Sequence, residues 1–411
     1  MIRFSVIATL AALSMLTATP CFAVTIFVSN EKDNTVTVID GDTLEVKKTI
    51  KVARRPRGII LSPDNKELFV AAGDGDIMDV VDTAKLEVSR QLESGPDPEL
   101  MAVDPKGEVI YIANEDDSLV TIMDIKSGDV LAEVPVGVEP EGMTVSPDGK
   151  YTVATSESTS MAHVIDNAKR KLIANVLVDS RPREAKFTHD GKELWVSSEV
   201  GGSISVIDPA TWKVVKKITF EVPGVRPESL QPVGMDFTKD GKLLFVALGP
   251  ANRIGVIDAA TKEVKDYILV GQRPWHGEMS PDGKKYYVAN GLTNDMTVID
   301  VDSLKDASVI AFAGIAKPDR FFATVDLMGI HATKCVRFRD HHHYSQREIE
   351  KLGGDVLVTT EKDAVRLINV TDRPYCYIRI SAKIADFEGL MSLIMSRAER
   401  KRDSAQPQVK S

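Results

Sequence analysis

Charged side chains flank a proline that recurs along most of the chain. The proline stands at positions 56, 98, 140, 182, 232 and 274, with arginines or carboxylates beside it at most of these places. Such residue types suit the binding of a partner through directional, charge-assisted hydrogen bonds. The candidate binding residues are Arg55, Arg57, Asp97, Glu99, Glu139, Glu141, Arg181, Arg183, Arg273, Trp275 and His276.

The same charges have a second interpretation. They could form a solvated rim whose local ion pairs contribute little to stability, and the residues alone leave both interpretations open. Trp275 and His276 are the strongest single candidates, because an aromatic side chain beside an imidazole on an exposed rim is costly unless it is used or covered.

A histidine run follows Asp340 at positions 341–343. Neighbouring residues on a strand or loop point apart and rarely share one ion, so we predict no metal site here. No cofactor is predicted either, since the chain has no Cys-x-x-Cys-His haem motif. Its three cysteines are Cys21, Cys335 and Cys376, which exclude a disulfide framework and leave open one bridge between the last two.

A repeat positions the candidate residues. An apolar pair followed by aspartate recurs seven times, with the aspartates at positions 40, 82, 124, 166, 208, 258 and 300. A turn related to Ser-Pro-Asp-Gly recurs in the same register, beginning at residues 62, 104, 146, 188, 238 and 280. Each period holds four short, β-rich runs separated by turn residues. Four-stranded units of this size bury their faces by stacking radially, which predicts a seven-bladed β-propeller.

Strand alternation sorts the loops onto two faces. The uniform Ser-Pro-Asp-Gly and post-aspartate turns share one face and read as turn chemistry. The other face carries the loops that vary, the proline-marked segments and the eight extra residues of the longest period, within Glu221–Gln231. Variable loops on a rigid scaffold are the usual place for function.

The chain falls into four regions. Residues 1–23 read as a secretory signal peptide, with Arg3, a short apolar run and small residues before a cleavage point after Ala23. The propeller is predicted over 24–308, a small α/β unit over 309–396, including a helix from Phe387, and a disordered tail over 397–411. A net charge of −9 argues against a nucleic-acid or membrane-surface binder, and no later stretch is apolar enough to span a bilayer.

The propeller resembles the YVTN-type repeat family, and more closely the β-propeller proteins associated with pyrroloquinoline-quinone-dependent catabolism. The stretches that carry the resemblance are Thr25–Ile39, Ser94–Leu100, Ala113–Asp117, Val136–Gly142, Ile218–Pro227 and Ala247–Asn252. The resemblance implies an accessory protein that works beside a quinoprotein dehydrogenase or a c-type cytochrome. In this family a closing segment supplies the innermost strand of the first blade; that strand is missing here, and Ile310–Ile315 is a candidate substitute.

The residues after Val309 resemble the C-terminal part of tetraacyldisaccharide 4'-kinase, the lipid A kinase. The matching motifs include Asp340, His341 and His342, and then Thr360, Glu361, Lys362 and Asp363. That enzyme's phosphate-binding P-loop is not among the 411 residues, because no Gly-x-x-x-x-Gly-Lys-Ser/Thr occurs.

Two functions follow from these resemblances. The leading one is a non-catalytic, periplasmic propeller that serves as an interaction module of a quinone-dependent alcohol oxidation system, with periplasmic proteins as partners. The alternative is a kinase-related protein of lipid A biosynthesis, which the missing P-loop makes inactive in phosphoryl transfer. A gene fusion explains both, because the repeat stops within the last blade.

Overall fold

The computed structural model describes residues 24–306, 309–327, 332–354, 356–368, 370–371 and 375–378. The predicted signal peptide, the helix from Phe387 and the tail all lie outside these residues. The chain divides into two compact units between Asp306 and Ala307.

The first unit is a seven-bladed propeller of antiparallel sheets, as predicted. The first sheet has three strands, β1 (Thr25–Asn30), β2 (Thr35–Asp40) and β3 (Val46–Lys51). The second and third are β4 (Pro56–Leu61), β5 (Glu67–Ala72), β6 (Ile77–Asp82), β7 (Glu87–Glu93) and β8 (Pro98–Val103), β9 (Val109–Asn114), β10 (Leu119–Asp124), β11 (Val130–Pro135). The fourth and fifth are β12 (Pro140–Val145), β13 (Tyr151–Ser156), β14 (Met161–Asp166), β15 (Lys171–Leu177) and β16 (Pro182–Phe187), β17 (Leu194–Ser198), β18 (Ser203–Asp208), β19 (Lys213–Thr219). The sixth and seventh are β20 (Pro232–Phe237), β21 (Leu243–Leu248), β22 (Arg253–Asp258), β23 (Val264–Leu269) and β24 (Pro274–Met279), β25 (Lys285–Asn290), β26 (Asp295–Asp300), β27 (Lys305–Asp306).

The repeated aspartate ends the third strand of each four-stranded blade and β2 of the first blade, and it caps the turn that follows. In the third blade, Asp124 Oδ1 accepts the amide hydrogens of Lys126 and Ser127. These hydrogen bonds, led by the one from Ser127, lower the pKa of the Asp124 carboxyl because they favour its charged form. Equivalent bonds form at Asp40, Asp82, Asp166, Asp208, Asp258 and Asp300. The motif is therefore structural.

The Ser-Pro-Asp-Gly turns have the same explanation. In the fourth blade Ser146 Oγ donates to Asp148 Oδ1 at 2.7 Å, and the Lys150 amide donates to the same carboxylate at 3.1 Å. Gly149 has φ +73°, a conformation that glycine adopts without steric cost. The outcome agrees with the interpretation of both sequence marks as turn chemistry.

Blades one and seven meet, although the first blade has only three described strands. Tyr287 Oη and Lys285 Nζ on β25 both donate to the Gly41 carbonyl oxygen of the first blade, at 3.3 and 3.4 Å. The candidate closing strand was wrong: residues 309–313 form β28, which pairs with strands of the second unit. The parallel sheet of the second unit suits the apolar strand β28, because such a sheet buries both faces of its central strands.

The second unit is a small α/β fold. Its elements are β28 (Val309–Ala313), α1 (Pro318–Leu327), β29 (Lys334–Arg337), α2 (Gln346–Leu352), β30 (Val356–Thr360), α3 (Glu361–Leu367) and β31 (Tyr375–Ile378). The strands are parallel in the order β29-β28-β30-β31. Phe312 and Leu357 are fully buried in its core, and Ser345 begins α2 with a capping box.

Strand order also settles the cysteine bridge that the sequence left open. Cys335 and Cys376 lie on the two edge strands, β29 and β31, with β28 and β30 between them. Three strand spacings separate their backbones by about 14 Å, well beyond the reach of a disulfide. Cys335 is accordingly a free, exposed thiol. Over the described ranges, no helix has the length and apolar character that crossing a membrane requires.

Candidate binding site at the inner rim of the propeller

The residue before each recurring proline adopts a left-handed backbone conformation in five blades. The φ angles are +59° at Arg55, +42° at Asp97 and +57° at each of Glu139, Arg181 and Arg273. A non-glycine residue in this region costs about 1 kcal/mol. Each carbonyl accepts the amide of the first residue after the blade's second strand, as Asp97 does from Glu115 at 3.0 Å. The fold thus holds five charged residues in a strained loop at the start of the innermost strands.

Most of these side chains join one network, here called the charged belt. Its members are Arg55, Arg57, Asp97, Glu99, Glu141, Glu157, Arg181, Arg183, Glu199 and Arg273. On the second and third blades, Arg55 donates to Asp97 at 2.6 Å and to Glu99 at 3.2 Å. Arg57 donates to the other Glu99 oxygen at 2.5 Å. Glu99 is 1% exposed, so this part of the belt is a buried ion-pair cluster and differs from a solvated rim.

Arg183 is the centre of the belt on the fourth and fifth blades. Its guanidinium contacts Glu141 at 2.9 Å, Glu199 at 3.7 Å and, more closely, Glu157. Arg183 is 7% exposed. Arg181 approaches Glu157 at 2.9 Å and Glu199 at 3.3 Å from outside, with half of its side chain in solvent. One buried guanidinium is therefore shared by three carboxylates, one from the innermost strand β12 and two from loops that follow second strands.

Trp275 lies where the belt reaches the seventh blade. The guanidinium carbon of Arg273 is 4.4 Å from the centroid of the Trp275 ring, and that of Arg183 is 5.5 Å away. Arg273 also contacts Glu199 at 2.8 Å. Two arginines fix the indole through cation–π contacts, and yet 37% of Trp275 stays exposed. The result is a rigid aromatic side chain presented to solvent.

Burial and charge shift the ionisation of the belt. Burial, followed by the charge of Glu141, raises the pKa of Glu99 to about 8. Burial disfavours the charged form of Arg57, but the attraction of Glu99 and Glu141 outweighs it and raises the pKa of that guanidinium. The attraction of its carboxylate partners therefore holds Arg57 in the charged form.

A second cluster lies further along the innermost strands of the fifth, sixth and seventh blades. His276 Nδ1 is 3.3 Å from Glu184 Oε2, which also accepts the Met235 amide hydrogen at 2.6 Å. Partial desolvation opposes protonation of His276, whose side chain is still 46% exposed, but the charge of Glu184 and its hydrogen bond prevail and raise the imidazole pKa. Lys186 contacts Asp236 at 3.2 Å in the same cluster.

Three carboxylates of the third blade come close enough to consider a metal. Oxygen atoms of Asp97, Glu99 and Glu115 lie within 4.8 Å of one another. Arg55 and Arg57 already neutralise the first two. Two of the three carboxylates are thus engaged in ion pairs with arginines, and we assign no metal site to them.

The structure brings nine of the eleven predicted rim residues together and separates two. Glu139 bonds to Ser158 in its own blade, outside the belt. His276 belongs to the second cluster. Sequence reasoning missed Glu157 and Glu199, which follow the second strands of their blades, and also Glu184 and Asp236. For Glu184 and Asp236 the available signal was a charge within an innermost strand, where an apolar residue is expected.

The motif residues of the second unit also assemble. Lys362 Nζ lies 3.5 Å from Asp340 Oδ1 and 3.4 Å from His341 Nε2. Asp363 is fully buried and accepts from the Gly314 amide at 2.9 Å and from the Thr360 hydroxyl at 2.8 Å. His342 turns away to Glu348, with Nε2 3.2 Å from Oε1, and Glu361 begins α3.

Comparisons with known proteins divide the chain at the same place. A family model described as "Lactonase, 7-bladed beta-propeller" matches residues 39–307, and one described as "Tetraacyldisaccharide-1-P 4'-kinase" matches residues 258–399. The two matches overlap over residues 258–307. In the structure residues 264–306 belong to the propeller. The tetraacyldisaccharide 4'-kinase of Blochmanniella floridana is 37% identical over 100 residues, which are 23% of this chain and 29% of that protein. The chain spans less than a third of that relative.

Two solved structures share the propeller fold. The first is the hydrazine synthase of Kuenenia stuttgartiensis, with a TM-score of 0.62 and 23% identity, covering 67% of this chain and 92% of that one. The second is the dihydro-heme d1 dehydrogenase NirN in complex with DHE, with a TM-score of 0.52 and 18% identity, covering 72% of this chain and 76% of that one. At these identities the likeness concerns the fold alone.

Proposed function

The chain belongs to the family of seven-bladed β-propeller lactonases, and we propose that its own propeller serves as a non-catalytic, protein-binding accessory module. The observation that carries this proposal is the immobilised, partly exposed Trp275 on the rim. Aromatic and arginine side chains that are rigid before binding are the usual centres of protein interfaces.

The surrounding loops supply the rest of an interface. Val138, Val200 and Leu292 lie in loops of the same face by strand alternation, and they are 52%, 63% and 68% exposed. Large apolar side chains at loop tips contribute little to the fold. Around a polar, charged rim they form the mixed surface that non-obligate interfaces share.

The chemistry of the belt supports a scaffold in preference to an active site. Its arginines and carboxylates neutralise one another, so the belt stiffens the rim and leaves its charged groups committed. A general base, in contrast, has to reach a substrate proton. Glu99 has a raised pKa that would suit this role, but it is 1% exposed and paired with Arg57.

The partner we propose is a periplasmic quinoprotein alcohol dehydrogenase or its c-type cytochrome. Support comes from the resemblance of the repeat stretches to propellers associated with quinone-dependent catabolism, and from the signal-like residues 1–23. Under this proposal the protein is exported and acts outside the cytoplasm.

Binding of the full chain to a purified quinoprotein alcohol dehydrogenase and to its c-type cytochrome tests the proposal. We expect binding in biolayer interferometry that weakens about tenfold in Trp275→Ala and in Leu292→Ser, as truncation of an interface centre does. Val215→Ser is the matched control, because Val215 is 59% exposed on the outermost strand β19. Absence of binding to both redox proteins, or an equal effect of the control, would refute it.

The kinase relationship favours a second candidate function, lipid A phosphorylation, through the assembled Asp340, His341 and Lys362. Phosphoryl transfer needs backbone amides and a lysine on the nucleotide phosphates, and no such sequence motif occurs in the chain. We therefore expect no transfer from radiolabelled ATP to the tetraacyldisaccharide. Labelled product that Lys362→Met abolishes would establish this candidate instead.

A further inference from the structure

Over the residues that the structure describes, the first blade has no innermost strand beside β1. β1 corresponds to the second strand of the other blades: Ile26 is opposite Ile39, as Leu68 is opposite Val81. Every other blade places an innermost strand against this position. Among the described residues, β1 pairs with β2 alone.

The residues of β1 are less buried than the corresponding residues of the complete blades. No residue of β1 is fully buried, whereas five of the six residues of β5, β9, β13 and β21 are. Phe27 is half-buried, while its counterparts Phe69 and Phe245 are completely buried. An edge of this kind offers unpaired amide and carbonyl groups above a partly apolar floor, and it is a template for another strand.

An apolar side chain of the neighbouring strand β4 is exposed beside this edge. Leu61, the sixth residue of β4, is 37% exposed, whereas the sixth residues of the other complete blades are buried, with Phe187 and Phe237 at 6% and 3% exposure, or half-buried. An incoming strand between β4 and β24 would cover Leu61.

The innermost strands of the six complete blades show which sequence pattern would fit beside β1. Each innermost strand begins with proline, and its sixth residue is apolar. That sixth residue pairs with the residue seven positions later in the sequence, on the second strand of the same blade. These sixth residues are Leu61, Val103, Val145, Phe187, Phe237 and Met279. The fourth residues face the same way, since side chains alternate along a strand. They are Ile59, Met101, Met143, Ala185, Met235 and Gly277.

The chain's own preceding residues do not match this pattern. Counting seven positions back from Ile26 places Thr19 at the sixth position and Thr17 at the fourth. Both are polar, and no Ser-Pro-Asp turn follows them. β28, the other candidate, is engaged on both sides by β29 and β30.

We propose that β1 accepts, antiparallel and in trans, an extended strand of a partner polypeptide with apolar residues at alternate positions. The main-chain hydrogen bonds would supply affinity, and the two apolar contacts would fix the register. This site lies inside the ring and is independent of the rim interface proposed above.

A peptide with the sequence of residues 138–147 tests the proposal, because it contains the whole of β12. The control peptide carries aspartate in place of Met143 and Val145. The readout is amide hydrogen exchange of Thr25–Asn30 in the full chain, with β9 as an internal reference. At a free peptide concentration about ten times Kd, bound amides exchange about tenfold more slowly.

The supporting result is protection of β1 by the matched peptide alone, reduced in Leu61→Asp, with β9 unchanged. The Leu61→Asp variant should keep the circular dichroism of the native fold, because that side chain is exposed. Three outcomes would overturn the proposal: no protection at millimolar peptide, equal protection by both peptides, or β1 protected as well as β9 without any peptide. The last would show that the chain fills the edge itself.

Discussion

Replacing Arg183 by methionine should destabilise the propeller more than any other single change in the belt. The guanidinium is 7% exposed and is the shared partner of Glu141, Glu157 and Glu199. Methionine fills a similar volume, so the main effect is the loss of charge. Three carboxylates would then stay at a buried site without their central cation.

The magnitude follows from the contacts that remain. Removing one partner of a buried ion pair costs about 3–5 kcal/mol. Arg181 still contacts Glu157 and Glu199, and Arg57 lies 3.8 Å from Glu141. This partial compensation places the loss near the lower limit, at about 3 kcal/mol. Arg181→Met is the matched control: half of that side chain is exposed, and solvent-exposed pairs contribute about 0–1 kcal/mol.

Urea unfolding followed by tryptophan fluorescence measures the difference. All three tryptophans, Trp195, Trp212 and Trp275, lie in the propeller, so the signal reports that unit. A double-mutant cycle sharpens the test: Glu157→Gln should destabilise the native protein but cost less, or even stabilise, in the Arg183→Met background. Equal midpoints for Arg183→Met and Arg181→Met, or additive effects of Arg183→Met and Glu157→Gln, would refute the reasoning.

Three further predictions concern other sites. The imidazole of His276 should titrate above its ordinary pKa in NMR spectra, and in Glu184→Gln its pKa should return toward about 6.5. The stability that the ion pair contributes is complete below a pH of about 6.5 and is lost as the pH rises through the raised pKa of His276. Equal titration of His276 in both proteins would contradict the pairing. Asp363→Ala should speed amide hydrogen exchange in residues 356–368, because losing this buried hydrogen-bond acceptor costs about 1–3 kcal/mol. Asp340→Asn, the control, should leave the exchange rates unchanged. An unchanged exchange rate in Asp363→Ala would count against a structural role of the Asp363 carboxylate. Cys335 should react with a maleimide in the native protein, as peptide mass spectrometry would show, and a protected thiol would indicate a bridge.

The seven-blade architecture could be read from the sequence because its determinants are local. Each aspartate of the repeat caps the turn beside it, and each Ser-Pro-Asp-Gly turn closes on its own hydroxyl and carboxylate. Interactions within a few residues repeat with the sequence, so their period reveals the blade.

The sequence also located most of the rim, but not its character. The proline register placed Arg55, Arg57, Asp97 and Glu99 on one surface. Whether such charges form a solvated rim or a buried network depends on how closely neighbouring blades approach, and burial of Glu99 is a property of that packing. Glu157 and Glu199 escaped prediction because they reach Arg183 from other loops.

Only the tertiary structure decided which strands pair over long distances. The period predicted a missing innermost strand, but the partner of residues 309–313 could not be inferred from their composition. An apolar strand fits any sheet that buries it, and the parallel sheet of the second unit covers both of its faces. The sequence by itself determined the repeat and its turns, because these interactions are local. The charged belt and the pairing of residues 309–313 depend on contacts between segments that are distant in the chain, which only the folded structure defines.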